Sequence, residues 1–292
     1  MELWLVLSYD SYIYYYHYIK EMKIFKNKQS LIREITGSKN LSFVPTMGSF
    51  HNGHKYLIKK AKNKKNKVLV SIYVNPKQFD SKNDFKQYPR NLKKDLSILR
   101  ALKVDYVYVP EYKDIFSFSP KHSLFVDKFS KQLCGKFRKS HFLGVLNIIN
   151  RLLEIIKPNY MCLGQKDFQQ LYLIKQHIIK KKINTKIIIC KTIREKNFFA
   201  LSSRNKRLSL KEKELASKIY HLLYKEKLFL KKNNLNKFNY YKISQKILKK
   251  GVEKIDYIKL INISNPNKKI DKSNFNIFIA YYISNVRLID NL

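Results

Sequence analysis

Acidic residues are few: 21 Asp and Glu stand against 60 Lys and Arg in 292 residues, a formal charge of +39. Cysteine is scarcer, with Cys134, Cys162 and Cys190 far apart and at no paired spacing. That argues against a zinc ligand framework or a disulfide scaffold and fits a reducing, cytoplasmic setting. A membrane span is also missing. Residues 1–21, MELWLVLSYDSYIYYYHYIKE, are apolar and Tyr-rich, but Asp10 and His17 interrupt them and they lack the positive flank and small-residue cleavage site of a signal peptide. From Met22 the run MKIFKNKQSLIREI reads as a strand and a helix. Residues 1–21 are therefore an N-terminal extension, either an upstream start-codon artefact or a genuine segment that packs as an extra helix.

The positive charge would ordinarily suggest a nucleic-acid partner. Here the excess is nearly all Lys, scattered through every segment beside abundant Ile, Asn, Tyr and Phe, the bias expected of an AT-rich coding sequence. No aromatic-interleaved groove or known module accompanies it, so no specific nucleic acid is expected. An RNA-binding protein stands as the rival from another class, motivated by charge alone.

With 45% apolar residues the chain can bury a full core. Leu41–Val44, Lys67–Val74, Val104–Val109, Tyr160–Leu163 and Ile187–Cys190 read as buried strands. Between them, Leu92, Leu96 and Leu99 recur at helical spacing, and His141–Lys157 is apolar nearly all round up to Pro158. Such alternation predicts an α/β fold, with parallel strands joined by right-handed crossovers and ligands bound beyond the strands' carboxyl ends. A helix over Leu210–Leu230, a Lys/Asn-rich linker near 231–239, another helix and two late strands (255–263 and 276–283) then suggest a smaller α+β domain.

The most informative stretch is PTMGSFHNGH, Pro45 to His54, which follows the first buried run and precedes the helical pattern of 55–62. Gly48 and Gly53 let the backbone approach a ligand, and the following helix directs its free N–H groups and positive dipole end at the loop. Both suit a phosphate chain. His51 and His54, three residues apart, can face one bound anion as donors. A pair of surface histidines beside a helix cap is the plainer alternative.

Four stations, PTMGSFHNGH, VNPKQF with YPRNLKKDL, GQKDFQQL and LSSRN, stand in the order and spacing of the pantothenate synthetase (pantoate–β-alanine ligase) family, which the chain resembles from Met22 to the terminal RLIDNL. CGKFRKSHFLGV, Cys134 to Val145, also resembles a family segment. The HxGH element alone would indicate only the wider nucleotidyltransferase superfamily, and another such enzyme is the enzymatic alternative. The resemblance implies a Rossmann-like domain at 22–193, a smaller lid domain at 194–292, and a homodimer. It also implies ATP, pantoate and β-alanine as substrates, a pantoyl-adenylate intermediate, and Mg2+ with the ATP.

Residue roles follow from the same resemblance. Met47, Gly48, Ser49, Phe50, His51, Asn52, Gly53 and His54 form the ATP loop, with His51 and His54 on phosphate oxygens and His54 the proton donor. Gln78 and Gln170 hold pantoate, and Gln78 also faces β-alanine. Gly164, Gln165, Lys166 and Asp167 bind nucleotide, Lys166 being the candidate transition-state cation. Ile193 contacts adenine, while Leu201, Ser202, Ser203 and Arg204 grip phosphate. Asp95 lies near the magnesium. Asn75, Arg138 and His141 are further candidates. Taken singly these residues also fit loop polarity, a helix cap or a solvated surface charge. Two departures stand out: Gln165 replaces an acidic residue, and Phe198 occupies a family glycine, which is expected to alter how its loop closes.

Overall fold

The alternating pattern resolves into six parallel strands: β1 (Lys23–Phe25), β2 (Leu41–Thr46), β3 (Lys67–Ile72), β4 (Tyr106–Tyr108), β5 (Tyr160–Gly164) and β6 (Lys186–Cys190). The computed structural model describes residues 21–292 apart from 39, 63–65 and 80, so the reading of 1–21 as an extension lies, but for Glu21, outside the described residues. The sheet order is β1-β4-β3-β2-β5-β6. Chain order reverses between β2 and β5, whose registered pairs are Ser42 with Tyr160 and Phe43 with Met161. A crevice opens at such a reversal, beyond the carboxyl ends of the two strands.

The helices are α1 (Lys28–Ile35), α2 (Asn52–Lys62), α3 (Lys82–Gln87), α4 (Leu92–Ala101), α5 (Tyr112–Phe116), α6 (Cys134–Phe137), α7 (His141–Ile156), α8 (Phe168–Lys180), α9 (Leu210–Lys232) and α10 (Tyr240–Leu248). Successive strand residues point to opposite faces. Thus Val44, Val70 and Val107 pack with Ile58 of α2 and Leu99 of α4. Their neighbours Phe43, Leu69 and Met161 pack on the other side with Leu146 and Ile149 of α7 and Leu173 of α8. α7 ends at Lys157, which takes a left-handed C-cap (φ 46°, ψ 54°) immediately before Pro158.

The C-terminal region holds three antiparallel strands, β7 (Lys254–Asn262), β8 (Phe275–Ile283) and β9 (Val286–Asn291), in that order. The sequence pattern suggested two. β9 was hidden because the β8–β9 hairpin turns on Ser284 and Asn285, both at positive φ (45° and 61°), without the glycine that usually announces such a turn. Tyr257, Phe278 and Ala280 join the core of the larger sheet. The opposite face, Ile258, Ile277 and Ile279, is covered by Ile219 and Leu223 of α9 and Ile247 of α10. Elsewhere β3 and β4 are shorter than their apolar runs, α9 extends to Lys232 into the expected linker, and α3, α5 and α6 were not foreseen.

Between α7 and α8, His177 is fully buried. Its Nδ1 accepts from the Phe125 N–H at 3.1 Å, and its Nε2 lies 3.0 Å from Asn150 Oδ1, while Asn150 donates to the His122 carbonyl at 2.7 Å. The ring is therefore neutral with its proton on Nε2. Burial, reinforced by the Lys181 charge, lowers its pKa from 6.5 to about 4. The unfolded chain binds this proton more readily, so the associated stability is whole above pH 6.5 and is lost as pH falls towards 4. The loss attributable to His177 should be on the order of 2 kcal/mol, and His177→Gln should flatten that part of the denaturation-midpoint profile. An unchanged slope would show that His177 is not held in this state.

Candidate active site

Three strand ends converge on one cavity of about 320 Å³. After β2 the chain enters the Met47–His54 loop with Gly48 and Ser49 both at positive φ (77° and 55°). Such a turn needs holding, because a serine in the left-handed region costs free energy. The holder is Asp95, buried in α4, whose Oδ2 accepts from the Ser49 N–H at 2.8 Å and whose Oδ1 accepts from the Phe50 N–H at 3.0 Å. Glycine is required at 48 for a second reason: a Cβ there would lie 2.7 Å from Asp95 Oδ2. Asp95, expected near the magnesium, thus stands behind the histidine loop. Both its oxygens face the loop backbone, and Asp95 is not among the cavity-lining residues.

His51 and His54 both line the cavity, with ring centroids 4.1 Å apart. His51 Nδ1 accepts from the Gly53 N–H at 3.1 Å, which leaves Nε2–H as the ring's donor. A Cβ on Gly53 would meet the His51 ring at 2.8 Å, so this glycine sets the ring's position. His54 stands edge-on to Phe50, and its Nδ1 is buried without a hydrogen-bond partner. Burial, with the Lys166 charge next, lowers His51 to about 4, and burial with the His51 ring and Lys166 takes His54 well below its ordinary range. Two neutral imidazoles present N–H donors in the ligand-free site, and a bound polyanion would draw their pKa values upward.

After β3, Gln78 reaches the cavity, and its Nε2 donates to Met47 Sδ at 3.1 Å. Its carbonyl accepts from Arg138 Nη2 at 2.9 Å and from His141 Nδ1 at 2.7 Å. Arg138 Nη1 lies 3.2 Å from His141 Nε2, which fixes the ring as the neutral Nδ1–H tautomer. Burial, followed by the Arg138 charge, lowers His141 to about 3. Arg138 and His141 line the cavity and grip the main chain at Gln78, whereas Asn75 is buried, with its amide on the Gly144 carbonyl at 3.1 Å. Gly144 completes this support. A Cβ there would fall 2.2 Å from the Lys77 carbonyl oxygen, so α7 can approach the 76–78 turn only at a glycine.

After β5, Gly164, Lys166, Asp167 and Gln170 line the cavity. Lys166 Nζ donates to Asp167 Oδ1 at 3.1 Å, and the Lys166 side chain is 17% exposed. Gln165 points elsewhere; its carbonyl, like that of Lys166, accepts from Asn291 Nδ2, at 3.0 and 2.9 Å respectively.

The remaining wall is the segment from Ile193 to Arg204. Ile193, Leu201, Ser202, Ser203 and Arg204 all line the cavity, and the Ile193 carbonyl accepts from the Leu201 N–H at 3.1 Å. Ser203 Oγ donates to the Ser49 carbonyl at 3.1 Å and Lys206 Nζ to Ser49 Oγ at 2.7 Å, tying this segment to the histidine loop. Arg204 reaches both oxygens of Asp84 on α3, at 3.3 and 2.7 Å, and Arg207 joins at 3.2 Å. Burial opposes ionisation of Asp84, but its bonds to Arg204 and the arginine charges outweigh this and hold its pKa low. Arg204, expected to grip phosphate, is thus paired with Asp84 in the ligand-free site. Of the expected site residues, Gly48, Ser49, Phe50, Asn52, Asn75, Gln165 and Asp95 do not line the cavity, whereas the others converge on it.

Several contributors escaped the sequence reading. Asp84 and Tyr88 line the cavity, as do Arg287, Asp290 and Asn291 of β9. Arg194 pairs with Asp290 through both carboxylate oxygens, at 2.6 and 2.9 Å. The terminal RLIDNL was the available signal for the β9 residues, but without that strand nothing directed them at the site.

Phe198 adopts φ 72°, the geometry a glycine takes without strain, in a turn closed by its own N–H on the Glu195 carbonyl at 2.8 Å. Its ring stacks on Tyr220 at 5.8 Å and 10°. The turn holds its residue 198 in the left-handed region, and the stack offsets some of the strain. Phe198→Gly should be more stable than Phe198→Ala by about 1 kcal/mol, because alanine loses the stack yet keeps the left-handed penalty. Thermal denaturation of the two variants tests this; an alanine variant equal to or above the glycine variant contradicts it.

The sequence model described as pantoate-beta-alanine ligase matches residues 17–292. The pantothenate synthetase of Francisella tularensis subsp. mediasiatica (strain FSC147) is 42% identical over 272 residues, covering 91% of this chain and 94% of its own. That of Francisella tularensis subsp. novicida (strain U112) is 41% identical over 279 residues, 94% of each chain. Among solved structures, pantoate-beta-alanine ligase from Francisella tularensis complexed with beta-gamma ATP and beta-alanine superposes with a TM-score of 0.79 at 39% identity, covering 93% of this chain and 97% of the other. Pantothenate synthetase from Thermus thermophilus gives a TM-score of 0.79 at 26% identity, covering 93% and 99%.

Proposed function

The chain belongs to the pantoate–β-alanine ligase family, and we propose from this and from its cavity how it carries out the ATP-dependent joining of pantoate to β-alanine. The single observation that carries the residue assignment is the convergence of His51, His54, Gln78, Lys166, Gln170, Ser203 and Arg204 on one cavity at the sheet's reversal point. The reaction proceeds in two steps. The pantoate carboxylate attacks the α-phosphorus, giving pantoyl adenylate and pyrophosphate; the β-alanine amine then displaces AMP. Neither step needs a covalent enzyme intermediate. What the protein must supply is alignment of two anions and compensation of the charge that gathers between them.

His51 and His54 donate N–H groups to phosphate oxygens, and Ser202, Ser203 and Arg204 close over the same chain once Arg204 leaves Asp84. Gln78 and Gln170 hold pantoate by their amides, Gln78 also bordering the β-alanine position. Lys166, a compact cation, stabilises charge on the α-phosphate in flight. Asp167 takes the ribose, and Ile193 borders the adenine. Exclusion of water protects the mixed anhydride until the amine arrives.

Among the described residues no group of three or more His, Cys, Asp or Glu could hold a metal. Asp84 is bound to arginines and Asp95 to backbone, so the donor set fits a Mg2+ carried by the triphosphate and completed by water. Bound in that way, the ion would neutralise charge between phosphate oxygens. We further propose a division into a catalytic domain at 22–193 and a lid at 194–292, a homodimer and a cytoplasmic location. Among the described residues no helix is long and apolar enough to cross a membrane.

Product analysis tests the reading. ATP, pantoate and β-alanine should yield AMP, pyrophosphate and pantothenate in equal amounts; formation of ADP and phosphate would replace the adenylate by an acyl phosphate and overturn it.

A further inference from the structure

We propose that Asn291, the last polar residue of β9, is a positioning residue for Lys166, clamping the turn that carries it through the two consecutive carbonyls of Gln165 and Lys166. The proposal rests on the catalytic role assigned to Lys166 and adds to it the device that aims the ammonium group.

One amide nitrogen of Asn291 reaches both carbonyls, at 3.0 and 2.9 Å. Asn291 is itself held at its side chain and at its main chain. Its Oδ1 accepts from Asn276 Nδ2 of β8 at 3.3 Å, and Asn276 Oδ1 in turn accepts from Lys227 Nζ of α9 at 2.7 Å. The main-chain N–H of Asn291 donates to Asp290 Oδ1 at 2.7 Å. Arg194 holds the same Asp290 carboxylate and also donates to the Asn291 carbonyl at 3.2 Å. A continuous polar chain therefore runs from α9 across two strands of the small sheet to the catalytic turn of the large one.

The physical consequence concerns orientation. Lys166 has four rotatable side-chain bonds and a partner, Asp167, that is its own neighbour on the turn. Fixing the ammonium group against a phosphate thus depends on fixing the backbone beneath it. Asn291 does this through the backbone carbonyls of the turn, and its amide donors are of the one polarity that two carbonyls accept. Displacement of a charge-stabilising group by about 1 Å is enough to cost up to a hundredfold in rate.

The test is a double-mutant cycle on the pantoate-dependent adenylation rate, with Asn291→Ala, Lys166→Ala and the combination, each checked for folding by thermal denaturation. Asn291→Ala should lower kcat by roughly ten- to a hundredfold with the pantoate KM within about twofold. In the Lys166→Ala background the same change should cost almost nothing further. If the losses multiply, or if Asn291→Ala raises the pantoate KM with kcat intact, the positioning role is overturned while that of Lys166 stands. Near-normal turnover of Lys166→Ala alone would instead remove the catalytic role and this proposal together. Should Asn291→Ala fail to fold, Asn276→Ala, which leaves the clamp's nitrogen in place but frees the amide oxygen that orients it, should show a smaller kcat loss that likewise vanishes without Lys166; no kcat loss, or a loss that multiplies with that of Lys166→Ala, overturns the proposal.

Discussion

Removing the His54 imidazole is expected to lower the adenylation rate by a hundredfold or more while leaving the fold intact. The ring lies at the start of α2, packed edge-on against Phe50 and alongside His51, and its buried Nδ1 has no protein partner. A group held in that way contributes little to folding that alanine would forfeit, because its polar atom already bears an uncompensated desolvation cost. Its contribution falls in the reaction, where a donor aimed at developing charge typically accounts for a factor of about 10² to 10³. Since burial first and neighbouring groups second keep both rings neutral without ligand, kcat/KM for ATP, which reports the free enzyme, should show no loss as pH rises through 6.5. An imidazolium acting in the free enzyme would give such a loss. Single-turnover adenylation by His54→Ala, with its melting temperature measured beside the parent, checks both halves. Near-normal turnover contradicts the assignment.

The second large effect concerns Asp95. Asp95→Ala leaves the Ser49 and Phe50 N–H groups buried without their acceptor, in a loop that already carries a left-handed serine. The expected cost is about 2–5 kcal/mol of stability in the ligand-free protein, with a matching rise in the ATP KM as the loop loses its shape. Asp95→Asn, which keeps one acceptor oxygen, should lie between. A carboxylate serving only a metal would behave differently, raising the Mg2+ requirement while leaving the ligand-free melting temperature unchanged. That outcome would support a metal role and refute the loop-holding one.

These two residues also mark how far the sequence could be read. His54 was accessible because its chemistry is local: a strand, two glycines and a helix start place the ring whatever the rest of the chain does. Asp95 was assigned to the site from resemblance, but its job depends on a contact across 45 and 46 residues of sequence that no local pattern encodes. The strands of the large sheet were legible for a similar reason, since strands buried on both faces appear as unbroken apolar runs. β9 was not, because its hairpin uses Ser284 and Asn285 in place of a glycine signal. With that strand went Asp290 and Asn291, and with them the link between the small sheet and Lys166. Phe198 shows the converse. Its departure from glycine was visible in the sequence, but the neighbour that makes it tolerable, Tyr220, lies on a distant helix.

The positive charge of the chain gave no comparable guidance. Lysines near the cavity that matter, Lys166 and Lys206, are distinguished by what they touch, Asp167 and Ser49, and not by the sum to which they contribute.

The central claim is that this cavity activates pantoate against ATP before β-alanine takes part. Exchange of labelled pyrophosphate into ATP, measured with pantoate and Mg2+ present and β-alanine withheld, tests it most directly. Exchange that requires pantoate is the predicted result; a folded protein that exchanges nothing until β-alanine is added would contradict it.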